Sequence, residues 1–572
     1  MAAQVVVVGG GISGLVAAKT LVESGCEVTV LEANDRVGGR THTTLLGDDP
    51  ADWVDLGGSY VGVTQDAILN LLDELELETY ELCNQGDLVF YYEGRINRYS
   101  TQWPTGFWWN VLGKWDLWSC IKKLDQMCSQ VDLEAPWNSP FAAEWDKITL
   151  EEWLLRNCWT RFARGFVRAN CQTSVTADPW QCSLLWFLHY HAAGGGMYRI
   201  WNGENGAQER KIKGGTQQIS ERLVQKIGQG KESDEESLAD RVLLSTPVLS
   251  IDQRNSRVTV VSKDGRKFEC DYVVVAVPLP MANRIVFEPN LPHDRVQLIQ
   301  RAAMGCCIKS NLYYEKPFWR EKGFMGFMNG IDPGMNTMDD TRPECEQAAI
   351  TTFTFCTDAM KELMKGTKEQ RKLNLGKILS LVFRDKRLEQ PLRFTEKAWM
   401  QESYIGGCYS VHYPPAQEGL KACNFPESVY IFISLEGVMT SVGHCIRDPV
   451  GRVHWAGTET SSKWCGYMDG AVRAGKRAGR EILVRMGKLP SSRYFEPEHP
   501  RIQAAPIELG FFERHPPSVG KCLALKGNRR NRANREPRLH PMLPKSDVDD
   551  DVFAQKNVIG IGSQITFLFM SN

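Results

Sequence analysis

The sequence lacks an excess of either charge, because 67 lysines and arginines balance 69 aspartates and glutamates for a formal net charge of −2. A chain this close to neutral argues against nucleic acid as its main partner. The 17 cysteines have no regular spacing, so no metal site is predicted. No secretory signal precedes the first predicted strand, and a reducing intracellular compartment is therefore expected.

The sequence also has little that would hold it in a bilayer. Its last apolar stretch, residues 558–570, is interrupted by two glycines, a serine and a glutamine. A spanning helix needs about 20 apolar residues, so this stretch is not expected to cross a membrane. A tryptophan-rich stretch, residues 103–118, predicts contact with a membrane surface at most. A buried aromatic cluster explains that stretch equally well.

Glycines near the start of the chain form a nucleotide-binding signature. Residues 4–8 are rich in valine, which is typical of a strand buried in a parallel sheet. Gly9, Gly11 and Gly14 follow, and residues 12–24 have the periodicity of a helix. In this context the glycines permit a tight turn, close approach of a pyrophosphate and close packing of helix on strand. The helix N-terminus would offer its free N–H groups to the phosphates.

An acidic residue completes this signature. Residues 28–31 form the second predicted strand, and Glu32 follows at its end. A carboxylate in that position accepts hydrogen bonds from ribose hydroxyls and repels a 2′-phosphate. Glycine-rich turns are common, but strand, turn, helix, strand and acid in this order are specific for a dinucleotide.

A second glycine signature lies near the other end of the chain. It comprises Trp-Ala-Gly-Thr-Glu at 455–459 and Gly-Tyr-Met-Asp-Gly at 466–470. Two distant segments are therefore predicted to hold one extended dinucleotide, which favours a flavin over a nicotinamide cofactor. The helix that opens at 466–470 would point its positive end at the ring system.

With both signatures placed, the chain resembles the flavin-containing amine oxidases, and among them the monoamine oxidases. The resemblance covers about residues 4–520 and is strongest in five motifs. These are Asp-Leu-Gly-Gly-Ser-Tyr-Val-Gly at 55–62, Ser-Leu-Leu-Trp-Phe-Leu at 183–188, Asn-Gly-Ala-Gln-Glu-Arg-Lys at 205–211, Lys-Pro-Phe-Trp-Arg at 316–320 and Gly-Gly-Cys-Tyr at 406–409.

The resemblance implies an α/β, two-domain FAD-linked oxidoreductase fold. A Rossmann-like FAD domain would comprise residues 1–80, 211–290 and 397–490. A mixed-sheet and helical substrate domain would comprise residues 81–210 and 291–396. Residues 491–572 would form a C-terminal extension that is partly disordered. Residues 417–437 look like an insertion relative to the family.

The resemblance also implies that FAD is bound covalently, through a thioether between Cys408 and the flavin. The expected cofactor-binding residues come from both signatures and from the motifs between them. They are Gly9, Gly11, Ser13, Gly14, Glu32, Arg36, Arg40, Gly58, Ser59, Val248, Trp399, Cys408, Gly457, Thr458, Gly466, Tyr467 and Met468.

Three catalytic residues are implied by the same resemblance. Tyr409 and Tyr467 would flank the substrate amine in front of the flavin, presenting two electron-rich ring faces to its nitrogen. Lys309, inside an otherwise apolar strand, would hold a water beside the flavin and stabilise superoxide during reoxidation. The alternative for Lys309 is a side chain that reaches out to solvent.

The substrate cavity would be lined by Cys171, Ile200, Trp201, Gln208 and Phe353, together with Asn170 and Asn336. Three of these depart from the family. Asn170 and Asn336 replace larger apolar or aromatic groups, and Trp201 stands where a mid-sized aliphatic residue is usual. An arylalkylamine should still fit, with altered selectivity.

The implied reaction is oxidation of a primary aryl or alkyl amine, with oxygen as acceptor, to aldehyde, ammonia and hydrogen peroxide. The alternatives are a polyamine oxidase, which would need carboxylates along its cavity, and a non-catalytic binding protein on the same fold. By resemblance the chain would face the cytosol on the mitochondrial outer membrane. Because the tail is short, the cytoplasm is the alternative. A homodimer is compatible with these expectations.

Overall fold

The computed structural model describes residues 2–49, 51–92, 94–99, 111–228, 241–330, 334–345, 347–355, 357–415, 437–494, 498–502 and 504. Met1–Pro516 form one compact unit. The second unit, Pro517–Asn572, lies outside the described residues. The insertion expected at 417–437 (except its last residue), the tail at 558–570 and residues 103–110 of the tryptophan-rich stretch also lie outside them.

A parallel sheet carries the first signature, as the sequence predicts. Within the described residues it has five strands, all parallel to their neighbours. In sheet order they are Val242–Leu243, Glu27–Leu31, Gln4–Val8, Tyr272–Val275 and Val453–Trp455. The strand Gln4–Val8 is central, and its four valines are buried. A valine run buried on both faces is what a parallel sheet covered by helices requires.

Two helices cover one side of this sheet, Ile12–Glu23 and Met468–Arg485. They approach closely because small residues lie between them. A Cβ at Gly475 would come within 2.3 Å of the Ser13 carbonyl oxygen, and one at Gly479 within 3.0 Å of Thr20. Each helix opens at one of the two signatures, so this packing brings the two ends of the chain together.

A large mixed sheet forms the second layer of the molecule. Its strands, in sheet order, are Arg393–Ala398, Cys307–Tyr314, Ala348–Phe355, Met335–Asp339, Phe324–Gly330, Asp87–Tyr92 and Arg95–Tyr99. Every neighbouring pair is antiparallel except Phe324–Gly330 with Asp87–Tyr92. Cys307–Tyr314 and Ala348–Phe355 are buried along their whole length.

Within the described residues there are four further sheets. The strand sets are Lys267–Cys270, Val258–Ser262, Val248–Asp252 and Val286–Glu288; Tyr60–Val61, Arg210–Ile212 and Thr79–Glu81; Thr43–Leu45 and Trp53–Asp55; and Ala303–Met304 and Val411–His412.

The remaining helices are mostly short. They are Asp66–Glu74, Val111–Cys128, Ala142–Trp145, Leu150–Asn157, Arg161–Val175, Leu184–Ala193, Met197–Trp201, Gln217–Gly228, His293–Arg301, Phe318–Glu321, Thr357–Met364, Lys368–Phe383 and Val438–Val442. Across the described ranges, none is both long and apolar enough to span a membrane.

The helices Thr357–Met364 and Lys368–Phe383 follow one another in the chain. The second begins at a capping box, in which Thr367 and Gln370 each accept a hydrogen bond from the other's backbone N–H. This arrangement satisfies N–H groups that a helix start leaves free. The two-domain α/β architecture is confirmed, whereas the domain limits proposed from the sequence stay a prediction.

Candidate active site

One cavity of about 360 Å³ collects most of the predicted site residues. It runs from the glycine turn of the parallel sheet to the inner face of the large mixed sheet. The predicted residues on its wall are Gly9, Gly11, Ser13, Glu32, Arg40, Gly58, Ser59, Asn170, Ile200, Trp201, Gln208, Val248, Lys309, Asn336, Phe353, Trp399, Cys408, Tyr409, Thr458, Gly466, Tyr467 and Met468.

Four predicted residues lie away from the cavity wall. A Cβ at Gly14 would lie 2.0 Å from the Gly9 carbonyl oxygen, so this glycine serves helix packing. At Gly457 a Cβ would meet the Glu459 carboxylate at 2.8 Å. The Arg36 guanidinium donates to the carbonyls of residues 37, 39 and 41, so it braces its own loop.

Cys171 is the fourth predicted residue that lies away from the cavity wall. It is fully buried, with Sγ 3.8 Å from the Ala177 carbonyl oxygen. Asn170, Thr173 and Ser174 of the same helix line the cavity instead. Positions three and four apart share a helix face, and Cys171 is one position off that face. The helical spacing of Asn170, Thr173 and Ser174 would have indicated this face of the helix. The resemblance to the family, used one position at a time, did not indicate it.

The glycine turn fits a dinucleotide. Gly9 has φ +108°, which side-chain-bearing residues rarely adopt, and a Cβ at Gly11 would meet nothing within 4 Å. Gly11 is also the N-cap of the helix Ile12–Glu23 and offers no side-chain cap. The first N–H groups of that helix therefore face open space, which suits a pyrophosphate.

Glu32 lies beside this turn and is 4% exposed. One carboxylate oxygen accepts from the Gly10 N–H at 2.6 Å, and the other accepts from the N–H and side-chain amide of Asn34, each at 2.8 Å. The acid thus holds the turn in shape as well as offering lone pairs to a ribose.

An ion pair joins the two signatures. Arg40 Nη1 donates to Glu459 Oε1 at 2.7 Å and to the Tyr409 carbonyl oxygen at 2.9 Å. Glu459 is buried and was not among the predicted site residues, although it ends the Trp-Ala-Gly-Thr-Glu motif. Its role depends on a partner far away in the sequence, which the motif alone cannot indicate.

The loop that carries Cys408 and Tyr409 is held by a threonine. Thr176 Oγ1 donates to the Cys408 carbonyl oxygen at 2.6 Å and accepts from the Tyr409 N–H at 2.9 Å. Gly406 and Gly407 precede the loop with φ +76° and +149°. Cys408 is buried on the cavity wall, and Cys307 beside it lines the same cavity. Burial raises the pKa of the Cys307 thiol, and its contact with Cys408 raises it further.

Two tyrosines on the cavity wall are each supported by other rings. Tyr409 makes edge contacts with Phe353 and Phe355, with centroids 6.3 and 6.4 Å apart. Tyr467 makes an edge contact with Trp464 at 5.0 Å and a tilted contact with Tyr190 at 5.8 Å. Burial raises the pKa of Tyr467 to about 12, so its hydroxyl stays neutral near pH 7.

Lys309 is 2% exposed and lines the cavity. It donates to the Gly57 carbonyl oxygen at 3.0 Å and to the Ser59 hydroxyl. An ammonium group has three donors, so one is left for a group in the cavity. Burial lowers the pKa of Lys309 to about 8, Lys211 lowers it as well, and Asp340 and Asp55 oppose the shift. The predicted alternative, a lysine reaching solvent, is wrong.

A second buried lysine lies behind the first. Lys211 Nζ contacts both carboxylate oxygens of Asp340, at 2.8 and 2.9 Å, and lies 3.9 Å from Asp55. The Tyr60 ring is shared by the two ammonium groups, with its centroid 5.7 Å from Lys211 Nζ and 5.6 Å from Lys309 Nζ. None of these partners was predicted as a site residue, although Tyr60 and Lys211 fall in recognised motifs.

Trp201 is fixed on the cavity wall by two polar contacts. Its indole N–H lies 3.1 Å from both the Ser174 hydroxyl and His191 Nε2. His191 Nδ1 lies 2.9 Å from the Phe187 carbonyl oxygen, so Nδ1 carries the proton and Nε2 accepts. Burial lowers the pKa of His191 to about 4, which keeps the ring neutral. In the described ranges, no group of three His, Cys, Asp or Glu side chains is placed to hold a metal ion.

Comparisons with known proteins agree with this geometry. The profile of the family "Flavin containing amine oxidoreductase" matches residues 12–483. Amine oxidase (flavin-containing) A of Bos taurus is 40% identical over 529 residues, which cover 92% of this chain and 93% of that protein. Amine oxidase (flavin-containing) B of Homo sapiens is 41% identical over 529 residues, which cover 92% of this chain and 95% of that protein.

Solved structures are also similar. Cyclohexylamine oxidase from Brevibacterium oxydans superposes with a TM-score of 0.76 at 32% identity, covering 85% of this chain and 100% of that one. Wild-type putrescine oxidase bound to putrescine superposes with a TM-score of 0.74 at 28% identity, with the same coverage.

Proposed function

The chain belongs to the flavin-containing amine oxidoreductases, and we propose that it deaminates primary aryl- and alkylamines with oxygen as the electron acceptor. The products are an aldehyde, ammonia and hydrogen peroxide. The observation that carries the proposal is the single cavity that joins a dinucleotide-type glycine turn to two tyrosines and a buried lysine.

The glycine turn, Ser13, Glu32 and Val248 would hold the adenosine and pyrophosphate end of FAD. When bound, FAD supplies the two-electron acceptor for the amine and the electron donor for oxygen. The helix that begins at Met468 has no side-chain cap hydrogen bond, so its positive end is available to an anionic ring edge. Trp399, whose indole N–H donates to the Leu56 carbonyl oxygen at 3.0 Å, would pack beside the ring.

Tyr409 and Tyr467 would orient the amine. Their hydroxyls stay protonated because burial raises the pKa of both groups. The rings therefore act through their faces, which attract a partly positive nitrogen, and they are not placed to act as bases near pH 7. Exclusion of water by the surrounding aromatic side chains strengthens this attraction.

Lys309 would serve the oxygen half of the reaction. Two of its N–H groups are engaged by Gly57 and Ser59, which fixes the ammonium at the wall and leaves its third donor without a hydrogen-bond partner among the described residues. A fixed cation stabilises negative charge that develops on oxygen without any reorganisation.

Cys408 would carry the covalent link to FAD. It shares the cavity with a second thiol, Cys307, and this pair provides a matched test. Purified protein should be yellow, and after acid denaturation its fluorescence should migrate with the polypeptide on a gel. Cys408→Ala should release the flavin, whereas Cys307→Ala should keep it attached. Release from both the unchanged protein and Cys307→Ala would contradict the link.

The activity is tested by incubating the purified protein with benzylamine and measuring amine consumed, aldehyde and peroxide. We expect equal amounts of the three. A colourless protein that forms no peroxide would support the non-catalytic alternative.

The polyamine alternative is less well supported. Over the described ranges the cavity wall carries two carboxylates, Glu32 and Asp339. Glu32 lies at the nucleotide end. Asp339 is already engaged by Arg320 Nε at 2.6 Å and Trp319 Nε1 at 2.7 Å, so it offers little to a second ammonium. A higher kcat/KM for putrescine than for benzylamine would favour that alternative.

The proposed location is the cytosolic face of the mitochondrial outer membrane, with membrane-surface contact and a homodimer as the expected assembly. Family resemblance is its support. Fractionation of expressing cells, a carbonate wash of the membranes and light scattering of the purified protein test the three parts separately.

A further inference from the structure

An unpaired amide oxygen lies on the wall of the cavity. Asn336 is 3% exposed and belongs to the strand Met335–Asp339. Its Oδ1 has no hydrogen-bond partner among the described residues. A buried acceptor left without a donor costs about 1–3 kcal/mol. A residue that lines a ligand cavity and keeps such an atom is a candidate for contact with the ligand.

The orientation of this amide follows from its neighbour. Asn336 Nδ2 lies 3.4 Å from Thr173 Oγ1, and Thr173 donates its hydroxyl proton to the Ala169 carbonyl oxygen at 2.9 Å. Thr173 therefore has only a lone pair to offer Asn336, which requires the NH₂ group on that side. The oxygen is left as the free atom.

The strand register places Asn336 relative to the catalytic groups. Lys309 pairs with Phe353, and Phe353 pairs with Asn336 on the next strand. Directly opposite residues project from the same face of a sheet. Strands lie about 4.8 Å apart, so Asn336 is roughly 10 Å from Lys309. Phe353 between them is the residue that contacts Tyr409. Asn336 and Lys309 are therefore separated along the sheet by one aromatic side chain, that of Phe353.

Two hydroxyl groups of the helix Arg161–Val175 line the same cavity and donate their protons to carbonyl oxygens of that helix. Ser174 donates to the Asn170 carbonyl oxygen at 2.8 Å and accepts from Trp201. Thr173 donates to Ala169. These two hydroxyls therefore have no proton to offer the Asn336 amide oxygen, which stays unpaired among the described residues.

We propose that Asn336 forms a polar subsite that accepts a hydrogen bond from the substrate at the end opposite its amine. The substrate class is an arylalkylamine whose ring carries a hydroxyl group, selected over the same amine without it. The proposal rests on the proposed amine oxidase function. An apolar subsite would behave differently. It offers no hydrogen-bond partner to a ring hydroxyl, so it would favour the amine with the unsubstituted ring.

The kinetic test uses amines that differ by one oxygen, namely phenethylamine and its 3- and 4-hydroxy derivatives. One neutral hydrogen bond predicts that kcat/KM is about 3- to 10-fold higher for at least one hydroxy derivative. Asn336→Leu should bring this ratio to one or below. Thr337→Val is the matched control, because Thr337 is the next residue of the same strand, is similarly buried and projects from the opposite face, and it should leave the ratio unchanged.

A binding measurement keeps the proposal separate from the chemistry. 2-Phenylethanol and 2-(4-hydroxyphenyl)ethanol lack the amine, and calorimetry on the holoprotein gives their affinities. The phenol should bind about 3- to 10-fold more tightly, and Asn336→Leu should remove the difference.

If no amine is oxidised but the affinity ratio holds, the proposed function fails and the subsite stands. If amines are oxidised with no hydroxyl preference and the two alcohols bind equally, the subsite is overturned. Asn336→Ser, which is smaller, provides a second variant if leucine prevents folding, and it should also lower the ratio.

Discussion

The two ends of the cavity are built in different ways. At the nucleotide end, backbone geometry does most of the positioning: Gly9 supplies a positive φ, Gly11 leaves open space and Gly14 permits a contact that any Cβ would block. At the amine end, side chains from separate strands and helices do the positioning. Lys309 is held there by Gly57 and Ser59, and Lys211 lies behind it beside Asp340.

This difference has an energetic consequence. A glycine turn needs local sequence and little else, whereas a buried ammonium needs partners from other parts of the fold, since an isolated charge in the interior is costly. Substitutions at the amine end should therefore affect stability or activity more strongly than substitutions at the nucleotide end. Four predictions test that expectation, beginning with the largest effect.

The first prediction concerns the ion pair behind the catalytic lysine. Burial alone would raise the pKa of Asp340, but Lys211 and Lys309 more than offset it and hold the pKa below its usual value. Asp340→Asn should leave the Lys211 ammonium with only Asp55, at 3.9 Å. We expect a loss of about 3–5 kcal/mol in the free energy of unfolding, measured by urea denaturation.

The control for this change is Asp252→Asn, which removes one carboxylate partner of the exposed Arg254 guanidinium. Surface ion pairs contribute little, so stability should not change measurably. Equal effects of the two substitutions would show that burial does not distinguish these pairs.

The second prediction concerns oxygen. Lys309→Met should leave anaerobic reduction by amine nearly intact and slow reoxidation by about 100- to 1000-fold, the usual effect of removing a fixed electrostatic group. Stopped-flow measurements separate the two halves. Loss confined to the reductive half would show that Lys309 acts on the amine instead.

The same residue predicts a pH dependence. Because its pKa is lowered to about 8, Lys309 is mostly charged below pH 8 and mostly neutral above it. Reoxidation should therefore slow as the pH rises through about 8, and Lys309→Met should abolish this dependence.

The difference between the two ends also explains which parts of the site were predictable. The parallel sheet, the glycine turn and Glu32 follow from local patterns, because valine runs, glycines at fixed spacing and a terminal acid each act within a few residues. Glu459, Thr176 and Asp340 were missed because their roles depend on partners that become neighbours only in the fold. Cys171 was predicted on the wall and lies one helix position off the residues that line it, because one position along a helix turns a side chain by a quarter of a turn or more.

The third prediction compares two glycines of one turn. Gly14→Ala places a Cβ 2.0 Å from the Gly9 carbonyl oxygen, whereas the Cβ of Gly11→Ala meets nothing within 4 Å. Gly14→Ala should cost about 1–3 kcal/mol or more in stability, even without flavin. Gly11→Ala should leave the flavin-free stability unchanged and weaken flavin binding, because the methyl group enters the space of the pyrophosphate. Thermal unfolding with and without FAD, measured in the Cys408→Ala background so that the flavin can be removed, distinguishes them, and equal losses without FAD would contradict the assignment.

The fourth and smallest effect concerns the two tyrosines. Each ring face contributes about 0.5–2 kcal/mol to holding a partly positive nitrogen, so Tyr409→Ala or Tyr467→Ala should lower kcat/KM for benzylamine by roughly 2- to 30-fold. The rings differ in their supports, since Tyr409 rests on Phe353 and Phe355 whereas Tyr467 rests on Trp464 and Tyr190. Replacement by phenylalanine keeps the face and should restore most of the activity, because the hydroxyls stay neutral and have no acid–base role near pH 7. If phenylalanine is as damaging as alanine in either position, the hydroxyl rather than the ring face orients the amine there.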